Sequence, residues 1–193
     1  MTGGAGGPGG AGGAGGSQDA AGTRYYGKYR GTVLVNVDPE QRGRIMAMVP
    51  DVLGITPSSW ALPCVPLAGK AEGTYFVPQI GAAVWIEFEQ GDPDYPIWVG
   101  GFWGSAAEVP PLALAPPPIP PGQTIAIQTT GQNTLLLSDS APTPATGGIV
   151  LKTLSGAMLV INETGIYLRN STGAAITLIG PTVDVNNGAL TIT

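Results

Sequence analysis

Val77-Pro-Gln-Ile-Gly-Ala-Ala-Val-Trp-Ile-Glu-Phe-Glu-Gln-Gly-Asp-Pro-Asp-Tyr-Pro-Ile-Trp-Val-Gly100 reads as two short β-strands joined by a rigid turn. Val84, Ile86 and Phe88 alternate with Trp85, Glu87 and Glu89. A period of two marks a half-buried strand with its carboxylates on the wet face. In Gly91-Asp92-Pro93-Asp94, glycine permits positive φ, proline fixes φ and aspartate can bond the nearby backbone. Ile97 and Val99 are expected to resume the inward alternation before Gly100-Gly101 ends it.

Upstream, Val33, Val35 and Val37 alternate before Asp38-Pro39, and Ile45, Ala47 and Val49 alternate after it. This predicts a hairpin of an antiparallel barrel. Pro63 and Pro66 confine the segment from Ala61 to Leu67 to an edge or irregular strand. Cys64 sits in that apolar pattern and reads as a small buried hydrophobe; one cysteine cannot form an internal disulfide. No amphipathic helix of ordinary length is legible. Four domains are expected: a disordered Gly/Ala-rich terminus at 1–22, a barrel at 23–104, a Pro-rich spacer at 105–122 and a strand-rich region at 123–193.

In 123–193, short apolar pairs recur: Ile125/Ile127, Leu135/Leu137, Ile149/Leu151, Leu159/Ile161, Ile166/Leu168, Ile176/Leu178, Val183/Val185 and Leu190/Ile192. Turn residues separate them, giving a loose repeat. Asp139 to Gly148 is longer and is expected to loop out. Two apolar residues per strand cannot enclose a core within one chain. Three chains can, as the walls of a triangular prism. Leu135, Leu137, Ile166, Leu168, Ile176, Leu178, Val183 and Val185 are therefore expected along a trimer axis. Eight strands stacked at about 4.8 Å make a needle of roughly 40 Å.

Composition excludes several functions. Only 11% of residues are charged and mean hydropathy is +0.20, so apolar surface is expected to be buried between chains. A net charge of −5 argues against nucleic acid, whose affinity rests on cations meeting phosphates. Tyr25, Tyr26, Tyr29, Trp98, Phe102 and Trp103 could form a base-stacking platform, but the few cations Lys28, Arg30, Arg42 and Arg44 make no basic channel. The absence of histidine removes His-based general acid–base catalysis, hydrolase triads and His metal sites. Glu87, Glu89, Asp92 and Asp94 admit a calcium site or a glycosidase pair on paper. They read first as an exposed strand face and a turn. No catalytic residue, cofactor or metal ligand is assigned. No signal peptide and no membrane-length apolar run is legible, so synthesis in a cytoplasm without export by the usual signal is expected.

The order of motifs resembles the OB-fold domain of the central spike protein of contractile injection machines. These include phage baseplate assembly protein V, the VgrG proteins of type VI secretion and the spikes of extracellular injection particles. The resemblance covers about residues 25–104. It rests on Asp38, Pro39, Gly43 and Arg44, then Pro78 and Gly81, then Phe88, Gly91, Asp92, Pro93 and Pro96, then Gly100. Trp60 to Gly69 looks like the family's tryptophan strand and its loop.

The resemblance implies an all-β chain: an OB-fold antiparallel barrel followed by a trimeric intertwined β-helix. It implies a non-enzymatic homotrimeric spike in a phage-tail-like particle, piercing an envelope when the sheath contracts. A baseplate hub protein would bind the OB collar. A PAAR-type tip protein would bind Ala189, Leu190, Thr191, Ile192 and Thr193. Short phage spikes with an apical His-x-His iron site are not matched, because histidine is absent. The alternatives are a single-strand nucleic-acid-binding OB protein, a lytic baseplate enzyme or a trimeric adhesin.

Overall fold

The computed structural model describes residues 22–114 and 124–193. The expected terminus at 1–22, apart from Gly22, and the proline run at 116–121 lie outside the described residues. The chain divides into two compact units, one ending at Phe102 and the other starting at Trp103.

The first unit is a small curled sheet. β1 (Tyr29–Val35), β2 (Met46–Met48), β6 (Ala83–Phe88), β7 (Pro96–Gly101) and the two-residue β3 (Leu62–Pro63) lie in the order β2-β1-β6-β7-β3. All neighbours are antiparallel except β3 and β7. An antiparallel bridge between Ile45 and Ala61 joins the two ends of that order. Among the described residues of this unit the one α-helix, α1 (Pro50–Leu53), is a single turn opened by a proline whose missing N–H costs nothing there. β4 (Ala68–Gly69) and β5 (Glu72–Gly73) form a separate ribbon.

The core of this unit is Val33, Ile45, Ala47, Val49, Ala61, Val84, Ile86, Phe88 and Trp98. Ile45, Ala47 and Val49 face inward as their alternation predicts, and so do Val84, Ile86 and Phe88.

Three expectations for this unit are corrected. In β7 the inward residues are Pro96 and Trp98, while Ile97 and Val99 are half-buried on the other face. Phe88 pairs with Pro96, and paired residues share a face, so the inward Phe88 puts Pro96 and Trp98 inside. Val37 is 78% exposed and Val35 also faces solvent, because a register shift between Val33 and Val35 breaks the alternation. Cys64 is exposed, since its strand ends at Pro63.

The second unit is one antiparallel meander. Its strands are β8 (Thr124–Gln128), β9 (Thr134–Thr143), β10 (Thr146–Lys152), β11 (Met158–Asn162), β12 (Gly165–Arg169), β13 (Ala175–Ile179), β14 (Thr182–Val185) and β15 (Leu190–Ile192). Each pairs with the next in sequence.

The segment expected to loop out between Asp139 and Gly148 is instead the continuation of the β9–β10 hairpin. Asn162 fastens its tip, donating through Nδ2 to the carbonyls of Thr143 (2.7 Å) and Thr146 (3.0 Å). Gly148 sits where a Cβ would lie 2.2 Å from the Ile161 carbonyl oxygen, so no other residue fits beneath this turn.

One face of the meander carries a small core of Leu136, Val150, Met158, Val160 and Tyr167. Leu112, from a short 3-10 turn, and Ala126 pack against it.

Candidate functional site

The residues that carry the family resemblance are turn-builders. Asp38 is the clearest case. Its carboxylate accepts the backbone N–H of Glu40 (2.9 Å), Arg42 (2.8 Å) and Arg44 (3.3 Å). Arg44 adds side-chain bonds, with Nη2 at 2.6 Å from Oδ1. The Arg44 guanidinium also bridges Glu40 and lies 5.4 Å from the Trp60 ring centroid. The Arg44 bonds and the three amides hold the Asp38 carboxyl well below its ordinary value of 3.8, against the opposing effect of burial. Asp38 in turn raises the pKa of Arg44. Gly43 closes the loop with φ +74 and accepts a bond from Trp98 Nε1 at 3.1 Å.

The remaining motif residues act alike. The Pro78 carbonyl accepts from Asn36 Nδ2 at 3.0 Å, and the Gly81 N–H donates to Val33. Phe88 packs against the rings of Tyr25 and Tyr29. Gly91, at φ +76, accepts the Tyr25 N–H at 2.8 Å, while Asp92 pairs with Arg24 and caps the N–H of Asp94. Pro93 lies in that turn and Pro96 is buried at the start of β7, while Gly100, at φ +150, pairs with Trp85.

The turn therefore clasps the segment entering the barrel. A Cβ at Gly91 would meet the Tyr25 nitrogen and the Tyr26 ring, both at 3.1 Å, in a conformation that favours glycine. Gly91→Ala is expected to cost about 1–2 kcal/mol from the left-handed backbone alone. A shift in the urea midpoint of the first unit measures it; an unchanged midpoint would mean that the clasp contributes nothing.

The acidic residues singled out for calcium or catalysis do not converge. Glu87 pairs with Lys28, and Asp92 is engaged as described. Among the described residues no group of three or more His, Cys, Asp or Glu side chains could hold a metal ion. The aromatic group does not form one platform either. Trp98 is core, Tyr25 and Tyr29 pack on Phe88, and Tyr26 and Trp103 are exposed. Arg30 lies over the rings of Trp85 and Phe102.

The feature that stands out is the other face of the meander. Paired residues on antiparallel strands share a face, so the register can be read as columns. One column runs Ile125, Leu137, Ile149, Ile161, Ile166, Leu178, Val183 and Ile192, each paired to the next. The other runs Ile127, Leu135, Leu151, Leu159, Leu168, Ile176, Val185 and Leu190.

All eight residues expected on a trimer axis lie in these columns. The sequence-based choice omitted the other eight, although the same alternation marks them. Ile125, Leu168 and Ile192 are 62%, 49% and 57% exposed, and no position in either column is polar. A single sheet this apolar on its open face has unmet burial, at about 1.5–3 kcal/mol per fully buried aliphatic side chain. Ala189 and Thr193 flank β15, the last strand in the sheet order.

Comparison with known proteins agrees with both units. Residues 29–103 match the family model of the type VI secretion system and phage-baseplate injector OB domain. Residues 124–191 match the phage baseplate V C-terminal trimerisation domain. No curated protein matches the chain significantly. Together the two matches support a structural role of the baseplate or spike type and a homotrimeric assembly. Among the described residues no helix is long and apolar enough to cross a membrane.

Proposed function

We propose that this chain, with its baseplate injector OB domain and trimerisation domain, is the central spike of a contractile, phage-tail-like injection particle. The observation that carries the reading is the two-column aliphatic face. Two columns per chain suit a prism of three walls. Each wall turns its columns to a common axis, as an intertwined β-helical needle does. Such a core is dry and repeats along its length. Stiffness of this kind suits a body driven through an envelope by sheath contraction.

The role is mechanical and non-catalytic: of the clustered acids Glu87 and Asp92 are held in ion pairs, and histidine is absent. The OB units would form the collar on a baseplate hub protein, as in VgrG-like spikes. The unpaired edge of β15 would receive a PAAR-type tip protein, because an open edge flanked by Leu190 and Ile192 invites a cover.

Immunogold labelling of purified particles tests the whole reading. Label is expected at the leading end of the tube. Label spread along the sheath, or absent from particles, would overturn it. Deleting residues 190–193 tests the tip: the trimer is expected to persist while a co-expressed tip protein no longer co-purifies. Continued co-purification would place the tip elsewhere.

A further inference from the structure

The outer face of the first unit carries a cation that the chain holds in place but does not neutralise. Arg24, Lys28, Arg42 and Arg44 are each in an ion pair. Arg30 and Lys70 pair with no acid among the described residues. Arg30 is exposed on β1, directly opposite Trp85 of β6. Its guanidinium carbon lies 5.6 Å from the Trp85 ring centroid and 5.2 Å from that of Phe102. The two rings pack on each other at 4.7 Å.

The rings attract the guanidinium through its charge and leave its N–H groups unused, since none makes a hydrogen bond among the described residues. The acid on the same face of β6, Glu87, is taken up by Lys28. Across β7, Trp85 is opposed by Gly100, where an added Cβ would meet nothing within 4 Å. The space beside the ring is therefore open to another chain. The patch offers five outward N–H donors on one positive charge, with apolar rings next to them.

We propose that Arg30, Trp85 and Phe102 form the docking site for an aspartate or glutamate, flanked by apolar side chains, on the baseplate hub protein that seats the OB unit. The inference rests on the spike reading. An arginine already held against two rings has less freedom left to lose, so a bidentate bond to a carboxylate costs less ordering. Arginine and tryptophan dominate interface energies where a partner excludes water around them. The charge also selects the occupant. One cation matches one carboxylate, whereas a polyanion such as a nucleic acid would meet Glu87 alongside and a net charge of −5.

Lys70, in the turn between β4 and β5, is the other unpaired cation and the matched control. Full-length variants replace the chain in cells that make the particle, and immunoblotting against the sheath measures how much each particle carries. Wild type and Lys70→Glu are expected to be carried equally. Arg30→Glu is expected to be carried roughly tenfold less, because it sets like charges against each other. The purified variant should still sediment as a trimer. Arg30→Gln removes the charge, keeps most of the length and should fall between; if Arg30→Glu fails to fold, this variant decides alone. Arg30→Gln or a folded Arg30→Glu carried at the wild-type level overturns the proposal, and so does an equal loss from Lys70→Glu. An Arg30→Gln chain that no longer forms a trimer would put the patch between copies and overturn it too. Wild-type chain absent from particles overturns the spike reading, and this inference with it.

Discussion

Full-length protein carrying Ile176→Asp is expected to sediment as a 19.5 kDa monomer, with its first unit still folded. Ile176 lies mid-column between Leu168 and Val185. On a shared axis the substitution brings together three carboxylates, each losing its water without gaining a cation. The cost is several kcal/mol per ion before their mutual repulsion is added. Ile179→Asp is the matched control. It lies three residues along the same strand but on the opposite face, 51% exposed, and should leave the trimer intact. Sedimentation separates the outcomes. A normal trimer from Ile176→Asp would mean that the columns face away from the axis.

The second large effect is expected from Asp38→Asn, which replaces a carboxylate at the centre of the buried turn. The amide nitrogen would face N–H donors where an acceptor is needed, and Arg44 would lose the buried one of its two anions, keeping only the exposed Glu40. The urea midpoint of the first unit at pH 7 should fall far more than for a surface control such as Glu163→Gln. The pH dependence has a definite sign. Asp38 has a lower pKa folded than unfolded, so its ionisation stabilises the fold fully above the ordinary carboxylate value of 3.8. That contribution is lost progressively as the pH falls below this value toward the folded one. The gap between wild type and variant should therefore narrow between pH 7 and pH 3. A constant gap would mean that the carboxylate charge contributes nothing to the turn.

Part of this was legible because the signals were local. Alternation at Ile45, Ala47 and Val49 and at Val84, Ile86 and Phe88 depends only on the two-residue period of a strand, and all six are buried. The motif turns were visible because Gly43 and Gly91 occupy backbone conformations that favour glycine and Asp38 needs only nearby N–H groups. The eight apolar pairs beyond residue 123 likewise mark the eight strands of the meander.

What alternation cannot give is phase across a turn. The 3-10 turn at Glu89–Gly91, with Gln90 at φ +51, leads to a pairing of Phe88 with Pro96. That pairing, not the apolarity of Ile97 and Val99, puts Trp98 inside. The hairpin between Asp139 and Gly148 was hidden for a similar reason. Its polar, proline-bearing sequence looks like a loop, and it is held by the side chain of Asn162, well outside the segment.

The sequence by itself determined the period, the turns and the chemistry that is missing: all-β strands, glycine-built corners and no histidine. Only the tertiary structure decided which pairs meet. Sixteen aliphatic residues spread over eight strands become two continuous columns because every register from β8 to β15 keeps them on one face. A slip of one residue at any pairing would turn the next strand's aliphatics to the other side. Register is a property of contacts between strands, and it is register that turns scattered alternation into a surface.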